Sequence, residues 1–261
     1  MKKNKLVYLF LALAAICLLL SFIITVPEGK EESIKVAMKD AVLHEVNQVD
    51  LFGLIQVNPA VISALVVTFI ICLLIFIIRV FMIPKFSYVP SRFQLIIEEV
   101  VGMFSNMAKT NSPHKNGFLG AYIFTAGVYV FIGTLFELFG LQVISTAGES
   151  IAIPAPLSDI NAAIAMGFLS YAVILSGALT VNGAKGVLKT LKDFSLPISM
   201  SFRLFGALLS GLLVTELVYY FVSLRFALPV IVAILFTLLH ALIQAYVLTM
   251  LTSLFYGEAT E

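Results

Sequence analysis

Long apolar runs, separated by short polar stretches, make up most of the 261 residues of this chain. A helix of about 20 apolar residues is long enough to cross a bilayer. The last two runs exceed that length, so we expect a long, strongly tilted C-terminal hairpin, hinged near Arg225 and Pro229. The pattern therefore indicates an all-α polytopic membrane protein. About six membrane helices are predicted, at residues 6–26, 60–82, 118–141, 162–181, 196–224 and 227–255.

One polar stretch has a helical pattern of its own. In VPSRFQLIIEEVVGMFSNMAK, which begins at Val89, the apolar side chains recur every three or four residues, as in an amphipathic helix. Those positions are Phe93, Ile96, Ile97, Val100, Phe104 and Met107. The opposite face is too polar to lie in hydrocarbon, so we expect this helix to lie at the membrane surface.

Composition excludes several classes of protein. The chain is 61% hydrophobic and 12% charged, with a mean hydropathy of +1.06, which no water-soluble domain of this size needs. A net charge of +1 predicts no nucleic-acid surface. Cys17 and Cys72 both fall in apolar runs, as expected of small buried side chains rather than a disulfide or metal pair. The sequence has no glycine-rich phosphate loop and no Cys/His metal spacing, so we expect no bound nucleotide, metal or other cofactor on this chain.

The distribution of Lys and Arg predicts the orientation in the membrane. Basic residues cluster at 2–5, 79–115 and 185–192, whereas residues 142–160 carry none. Because cytoplasmic loops are enriched in Lys and Arg, these three regions are predicted to be cytoplasmic. Residues 27–56 and 142–160 are then external, and the C-terminus is cytoplasmic.

The same pattern divides the chain into three parts. Residues 1–26 form an N-terminal membrane helix or a signal-like segment, and both interpretations stay open. Residues 27–56 form an acid-rich external segment, and residues 57–261 form the main membrane domain.

A single arginine lies deep in the fifth apolar run. Stepping 100° per residue around a helix puts five small residues on the same side as Arg203. They are Ser199, Gly206, Ala207, Ser210 and Gly211. Small residues on a membrane helix allow another helix to approach closely, and a charge at that depth is usually functional. An ordinary packing face with a snorkelling arginine is the alternative.

Two segments carry a resemblance to a known family. PISMSFRLFGALLSG, from Pro197 to Gly211, resembles the arginine helix of subunit a of the rotary (F-type) ATP synthase. IQAYVLTMLTSLFYG is similar to the last helix of that family, with Gln244 in the glutamine position. PLSDIN and VPSRFQLIIEE resemble its loop before the fourth span and its surface helix. The likeness extends over roughly residues 43–257.

The resemblance implies a stator that forms two ion half-channels against a rotating ring of c subunits. Arg203 would favour the ionised form of a ring carboxyl, and Gln244 would hold the guanidinium by neutral hydrogen bonds. Asp193 and Ser199 would belong to the ion path, and Gly206, Ala207, Ser210 and Gly211 would contact the ring. The implied partners are the c-ring, the b subunit of the peripheral stalk and membrane lipid. The chain itself would be non-catalytic, in a bacterial plasma membrane.

Several polar positions depart from the family pattern. Asn is usual four residues after the arginine, where this chain has Ala207, and an acid is usual nine after it, where this chain has Leu212. Glu216 lies four residues further on, and His240 lies three residues after Thr237, a second displaced position. Glu216 and His240 are predicted to form an ion relay for the external half-channel. A packed, buried polar pair is the alternative.

A second class of function also accounts for a buried arginine. A secondary transporter or channel could use Arg203 as an anion site. Such folds usually contain internal repeats and helices broken at the midplane, and no repeat is visible in this sequence. The choice between H⁺ and Na⁺, and between ATP synthesis and pumping, is not encoded in this chain.

Overall fold

The computed structural model describes residues 49–51, 55–114, 116–139, 142–144, 150–152, 154–220 and 228–261. The predicted first helix, residues 6–26, lies outside these ranges, as does most of the external segment 27–56. The hinge residue Arg225 is outside them too. The division into three parts therefore stays a prediction.

Helices dominate the described chain. They are α1 (Pro59–Ile77), α2 (Arg92–Asn111), α3 (Gly117–Leu138), α4 (Ile160–Leu191), α5 (Ser195–Tyr220) and α6 (Leu228–Thr260). A π-helical segment (Ile78–Met82) and two 3₁₀ turns (Ile83–Lys85 and Pro156–Ser158) extend or connect them. Two short antiparallel ladders, β1 (Val49–Leu51) with β2 (Ile55–Val57) and β3 (Gln142–Ile144) with β4 (Ser150–Ala152), complete the described elements.

Within the described ranges, four helical stretches are long and apolar enough to cross a membrane. They are Pro59–Lys85, Gly117–Phe136, Ile160–Leu191 and Ile234–Thr260. These stretches overlap the predicted second, third, fourth and last spans. The fifth predicted span is helix α5, which is described as far as Tyr220. The prediction of an all-α polytopic membrane protein is thereby confirmed, and the short ladders are its only β-structure within the described residues.

The predicted amphipathic segment forms helix α2. Ser91 caps it by accepting a hydrogen bond from the Gln94 backbone N–H at 3.3 Å. Its buried face meets α3, because a side chain at Gly120 would touch Ala108 and one at Gly127 would touch Phe104. These contacts make α2 and α3 antiparallel. The location of α2 at a membrane surface stays a prediction.

The PLSDIN segment joins the starts of two helices. The Asp159 carboxylate accepts a hydrogen bond from the Asn161 backbone N–H at 2.7 Å and so caps α4. Its other oxygen accepts a hydrogen bond from the Asn58 side-chain amide at 2.8 Å. Asn58 in turn caps α1 by accepting from the Ala60 N–H. One carboxylate therefore sets two helix N-termini side by side.

Helix α4 is broken at one residue. Gly183 has φ 59° and ψ −150°, a conformation in the positive-φ region that only glycine adopts readily. The break changes the direction of the final segment of α4, which carries Lys185 and Lys189. This segment leads into the turn that starts α5.

Helix α5 lies closely against α4 at Gly167. A Cβ atom at Gly167 would meet the Ser201 hydroxyl and would lie 2.8 Å from the Pro197 carbonyl oxygen. Helix α6 then packs against α3, α4 and α5 and completes the core. This arrangement fixes which side of α5 is buried and which side is left uncovered.

We expect Gly167→Ala to destabilise the chain by about 1–3 kcal/mol, because overpacking a tight contact costs that much. Gly102→Ala is the matched control, since no described residue outside the backbone of α2 lies within 4 Å of a Cβ atom at Gly102. That control should be neutral or slightly stabilising, because alanine favours a helix over glycine by up to about 1 kcal/mol. Thermal unfolding in detergent gives the comparison. Equal melting temperatures for Gly167→Ala and the unchanged chain would contradict the close contact.

Candidate functional site

The uncovered side of α5 carries the deep arginine. Arg203, Gly206 and Ser210 are all exposed, and they follow one another at three- and four-residue spacing on one helix face. Apart from the backbone of α5 itself, no atom of the described residues lies within 4 Å of a Cβ built on Gly206. Ser199 is exposed one turn before Arg203, and Ala207 is half-exposed one turn after it. The described part of the chain therefore leaves a charged face with small neighbours uncovered.

The buried side of α5 explains why Arg203 points outward. Met200, Leu204 and Leu208 are 2%, 1% and 5% exposed and pack into the core. Ser201 is also buried, but its hydroxyl donates to the Pro197 carbonyl oxygen at 2.7 Å, so its burial leaves no unpaired donor. Because apolar burial on this side orients the helix, the guanidinium is directed to the other side.

Arg203 and Gln244 lie on the wall of one small cavity between α5 and α6. Its other lining residues are apolar: Met200, Leu204, Val247, Leu248 and Leu251. The cavity volume is about 10 Å³, close to the minimum that holds a single water molecule. The two polar residues that the sequence singled out are thus brought together by the fold.

The side chain of Gln244 is buried without a partner among the described residues. It is 5% exposed, and its amide makes no hydrogen bond within the described part of the chain. Arg203 likewise has no hydrogen bond or ion pair there. Leaving a buried amide unpaired costs about 1–3 kcal/mol, so stability does not account for Gln244 at this position.

Gly211, which the sequence placed on the same side of α5 as Arg203, lies about 80° around the helix from it and is turned toward α6. A Cβ atom at Gly211 would lie 3.5 Å from His240 Nδ1 on α6. His240 is half-buried, and its ring centroid lies 5.8 Å from that of Phe236. Gly211 therefore faces the neighbouring helix of its own chain in this structure.

The backbone position of Glu216 follows from its place in α5. Glu216 lies in helix α5, five residues beyond Gly211 and so about 7.5 Å further along the axis. Its side chain lies outside the described residues. The predicted pairing with His240 therefore stays a prediction.

Asp193 lies far from Arg203, at the turn before α5. Ten residues separate them, about 15 Å along a helix. Asp193 is exposed and lines a cavity of about 160 Å³ together with Lys189, Lys192 and Glu258. This cavity lies at the opposite end of α5 from Glu216.

Glu258 was not identified from the sequence as a site residue. The spacing along α6 does indicate it. Glu258 is fourteen residues after Gln244, and fourteen steps of 100° leave the two residues about 40° apart around the helix. Glu258 therefore lies on the same side of α6 as Gln244. A glutamate in the last turn of a helix is usually a solvated surface residue, so its residue type alone does not indicate a site.

Comparison with known proteins supplies independent information. Residues 61–257 match the family model described as ATP synthase A chain. Two proteins named ATP synthase subunit a, both from Cereibacter sphaeroides, are 28% and 27% identical to this chain over 185 residues. Each alignment covers 66% of this chain and 71% of the relative. A third protein of that name, from Buchnera aphidicola, is 25% identical over 108 residues, which cover 39% of each chain.

The two buried glutamines of the described chain offer a direct comparison. Gln94 and Gln244 are both 5% exposed. The side chain of Gln94 accepts from Ser87 N–H and donates to the Ser87 carbonyl oxygen and to Glu98. We expect Gln94→Leu to destabilise the chain by about 1–3 kcal/mol, because a leucine side chain cannot make the three hydrogen bonds of Gln94. We expect Gln244→Leu to leave the stability of the chain unchanged or to raise it. Thermal unfolding in detergent measures the stability of both variants. If Gln244→Leu loses as much stability as Gln94→Leu, then Gln244 has a structural role only.

Proposed function

The chain belongs to the ATP synthase A chain family, and on that premise we propose that it is the stator subunit of a rotary ATP synthase. In this proposal it forms two ion half-channels against a rotating ring of c subunits. Passage of H⁺ or Na⁺ through them is coupled to ATP synthesis or hydrolysis. The chain is a multi-pass membrane protein and performs no catalysis itself.

The exposed guanidinium of Arg203 carries this proposal. It stands on a helix face whose neighbours, Gly206 and Ser210, are small and uncovered by the described chain. A partner helix can approach such a face closely. Because a cation in a membrane is costly without a counter-charge, the partner expected there presents a carboxylate.

A guanidinium is suited to face a carboxyl group that alternates between its ionised and its neutral form. A nearby cation stabilises the ionised form of a carboxyl over its protonated form. As each ring carboxyl passes Arg203, it releases its ion, and it takes up another when it leaves. Arg203 keeps its own charge throughout, since arginine does not deprotonate in proteins. A lysine at this position would be less suitable because burial readily removes its proton.

Gln244 completes the environment of the guanidinium. Its amide is buried beside Arg203 and has no partner within the described part of the chain. A neutral amide oxygen can accept a hydrogen bond from the guanidinium without cancelling its charge. The guanidinium is then free to exchange between Gln244 and successive ring carboxylates.

The two half-channels are proposed to reach opposite ends of α5. Asp193 and its cavity belong to the cytoplasmic path, and Ser199 lies between that cavity and Arg203 along the exposed face. Glu216 and His240 belong to the external path, where histidine is suited to shuttling protons near neutral pH. Of the four predicted ring contacts, Gly206, Ala207 and Ser210 are retained in this proposal. Gly211 is not, because it faces His240 on α6.

The remaining partners and the orientation follow from the same proposal. The chain assembles with the c-ring, the b subunit of the peripheral stalk and membrane lipid. Its C-terminus is cytoplasmic by the distribution of basic residues, in a bacterial plasma membrane. The proposal includes no bound nucleotide and no nucleic acid for this chain.

We expect Arg203→Ala to abolish ATP-driven ion pumping in an assembled complex, with a loss of at least about thirtyfold. Removing one member of a desolvated charge pair costs about 2–5 kcal/mol, which corresponds to that loss or more. Arg203→Lys should fail as well, because the planar fork is lost. Pumping is measured by dye quenching in inverted vesicles. Arg92→Ala, at the exposed start of α2, is the matched control and should pump normally.

Two results would contradict the proposed function. The first is substantial pumping by an Arg203→Ala complex that has assembled normally. The second is purification of the chain without a ring of small two-helix subunits, which would favour the transporter or channel alternative.

A further inference from the structure

A polar cavity opens at one end of the seam between α5 and α6. Four exposed charged residues, two basic and two acidic, line it: Lys189, Lys192, Asp193 and Glu258. Its volume is about 160 Å³, and exposed charged residues keep a cavity of that size hydrated. Water and small ions can therefore enter this end of the seam.

The small cavity beside Arg203 lies further along the same seam. On α5, Leu196 lines the polar cavity, and Met200, one turn later, lines the arginine cavity. On α6, Phe255 lines the polar cavity, and Leu251, one turn earlier, lines the arginine cavity. A four-residue step is about 6 Å along a helix, so little more than one turn separates the two cavities.

The side chains on the seam between the two cavities are apolar. Leu196 and Met200 lie one turn apart on α5. Leu251 and Phe255 do so on α6. Met200 is 2% exposed, and Leu196, Leu251 and Phe255 are half-buried, so apolar side chains line this part of the seam. An apolar constriction of this kind excludes water and blocks ions by dewetting.

We propose that Met200 and Leu251 form a dry constriction that separates the polar cavity from the arginine cavity inside the chain. The inference rests on the proposed function. Ions that enter the polar cavity cannot reach Arg203 through the interior, and they must cross to the exposed face of α5, where the ring carboxyls are. The constriction thereby prevents a leak that would bypass rotation.

The constriction is tested by making it polar. In Leu251→Asn an amide replaces an apolar side chain that faces both α5 and the arginine cavity. Leu251→Met keeps the constriction apolar, and Leu254→Asn places the same amide at an exposed position of α6, away from both cavities. Met200→Ser makes the α5 side of the constriction polar. It replaces Leu251→Asn as the test if that variant does not assemble with the ring.

The measurement is passive H⁺ and Na⁺ flux through the whole complex in vesicles, under an imposed gradient, with ADP and phosphate supplied so that the coupled complex can turn. Each sample is measured before and after a carbodiimide blocks the ring carboxyls and stops rotation. After the block, we expect Leu251→Asn and Met200→Ser to leak at least about tenfold above the unchanged complex, because a polar group lowers the cost of dehydrating an ion in the constriction. Leu251→Met and Leu254→Asn should stay at background.

The outcomes separate this inference from the function on which it rests. A normally assembled Leu251→Asn or Met200→Ser complex that remains at background after the block would overturn the constriction. An equal leak in Leu254→Asn would also overturn it, because the leak would then not be specific to the seam. Absence of any carbodiimide-sensitive flux in the unchanged complex would overturn the proposed function itself and the constriction with it.

Discussion

The guanidinium of Arg203 carries a charge that it cannot lose, and it stands on the one side of α5 that the described chain leaves uncovered. The helices behind it determine this placement. Gly167 lets α4 lie directly against Pro197 and Ser201, and burial of Met200 and Leu204 fixes the rotation of α5. Moving any of these contacts would turn the charge toward the core, where an unpaired ion is far more costly than at an interface with a carboxylate.

Among the described residues, buried and half-buried polar side chains are satisfied in two ways, and Gln244 is an exception. Asp159 and Gln94 have their hydrogen bonds satisfied and connect segments of the fold. The hydroxyl of Thr252 donates to the backbone of its own helix, which satisfies its donor inside an apolar bundle. Gln244 belongs to neither group, because its amide is buried beside a cation without a hydrogen bond within the described residues. Such an unsatisfied group is expected where function, rather than stability, selects the residue.

The sequence predicted the parts of this arrangement that depend on local pattern. Hydropathy located the spans, the three- and four-residue spacing located α2, and steps of 100° placed Gly206 and Ser210 beside Arg203. Contacts between helices were harder to predict from the sequence. Gly211 lies 80° around the helix from Arg203, and only the position of α6 shows that it faces His240. The break at Gly183 left no trace in the apolar pattern, since one glycine changes the backbone without changing the hydropathy around it. The cavity formed by Lys189, Asp193 and Glu258 depends on that break and on the end of α6, so it could not be assembled from spacing alone.

The central claim is that the uncovered face of α5 is the contact with the ring. Site-specific photocrosslinking tests it most directly, with a diazirine-bearing residue placed at Ser210, which is exposed on that face, and separately at Leu65 on α1, which is 65% exposed. The account predicts that the probe at Ser210 captures a small two-helix subunit present in many copies, whereas the probe at Leu65 does not. Capture of that subunit from Leu65, with only lipid adducts from Ser210, would contradict the account.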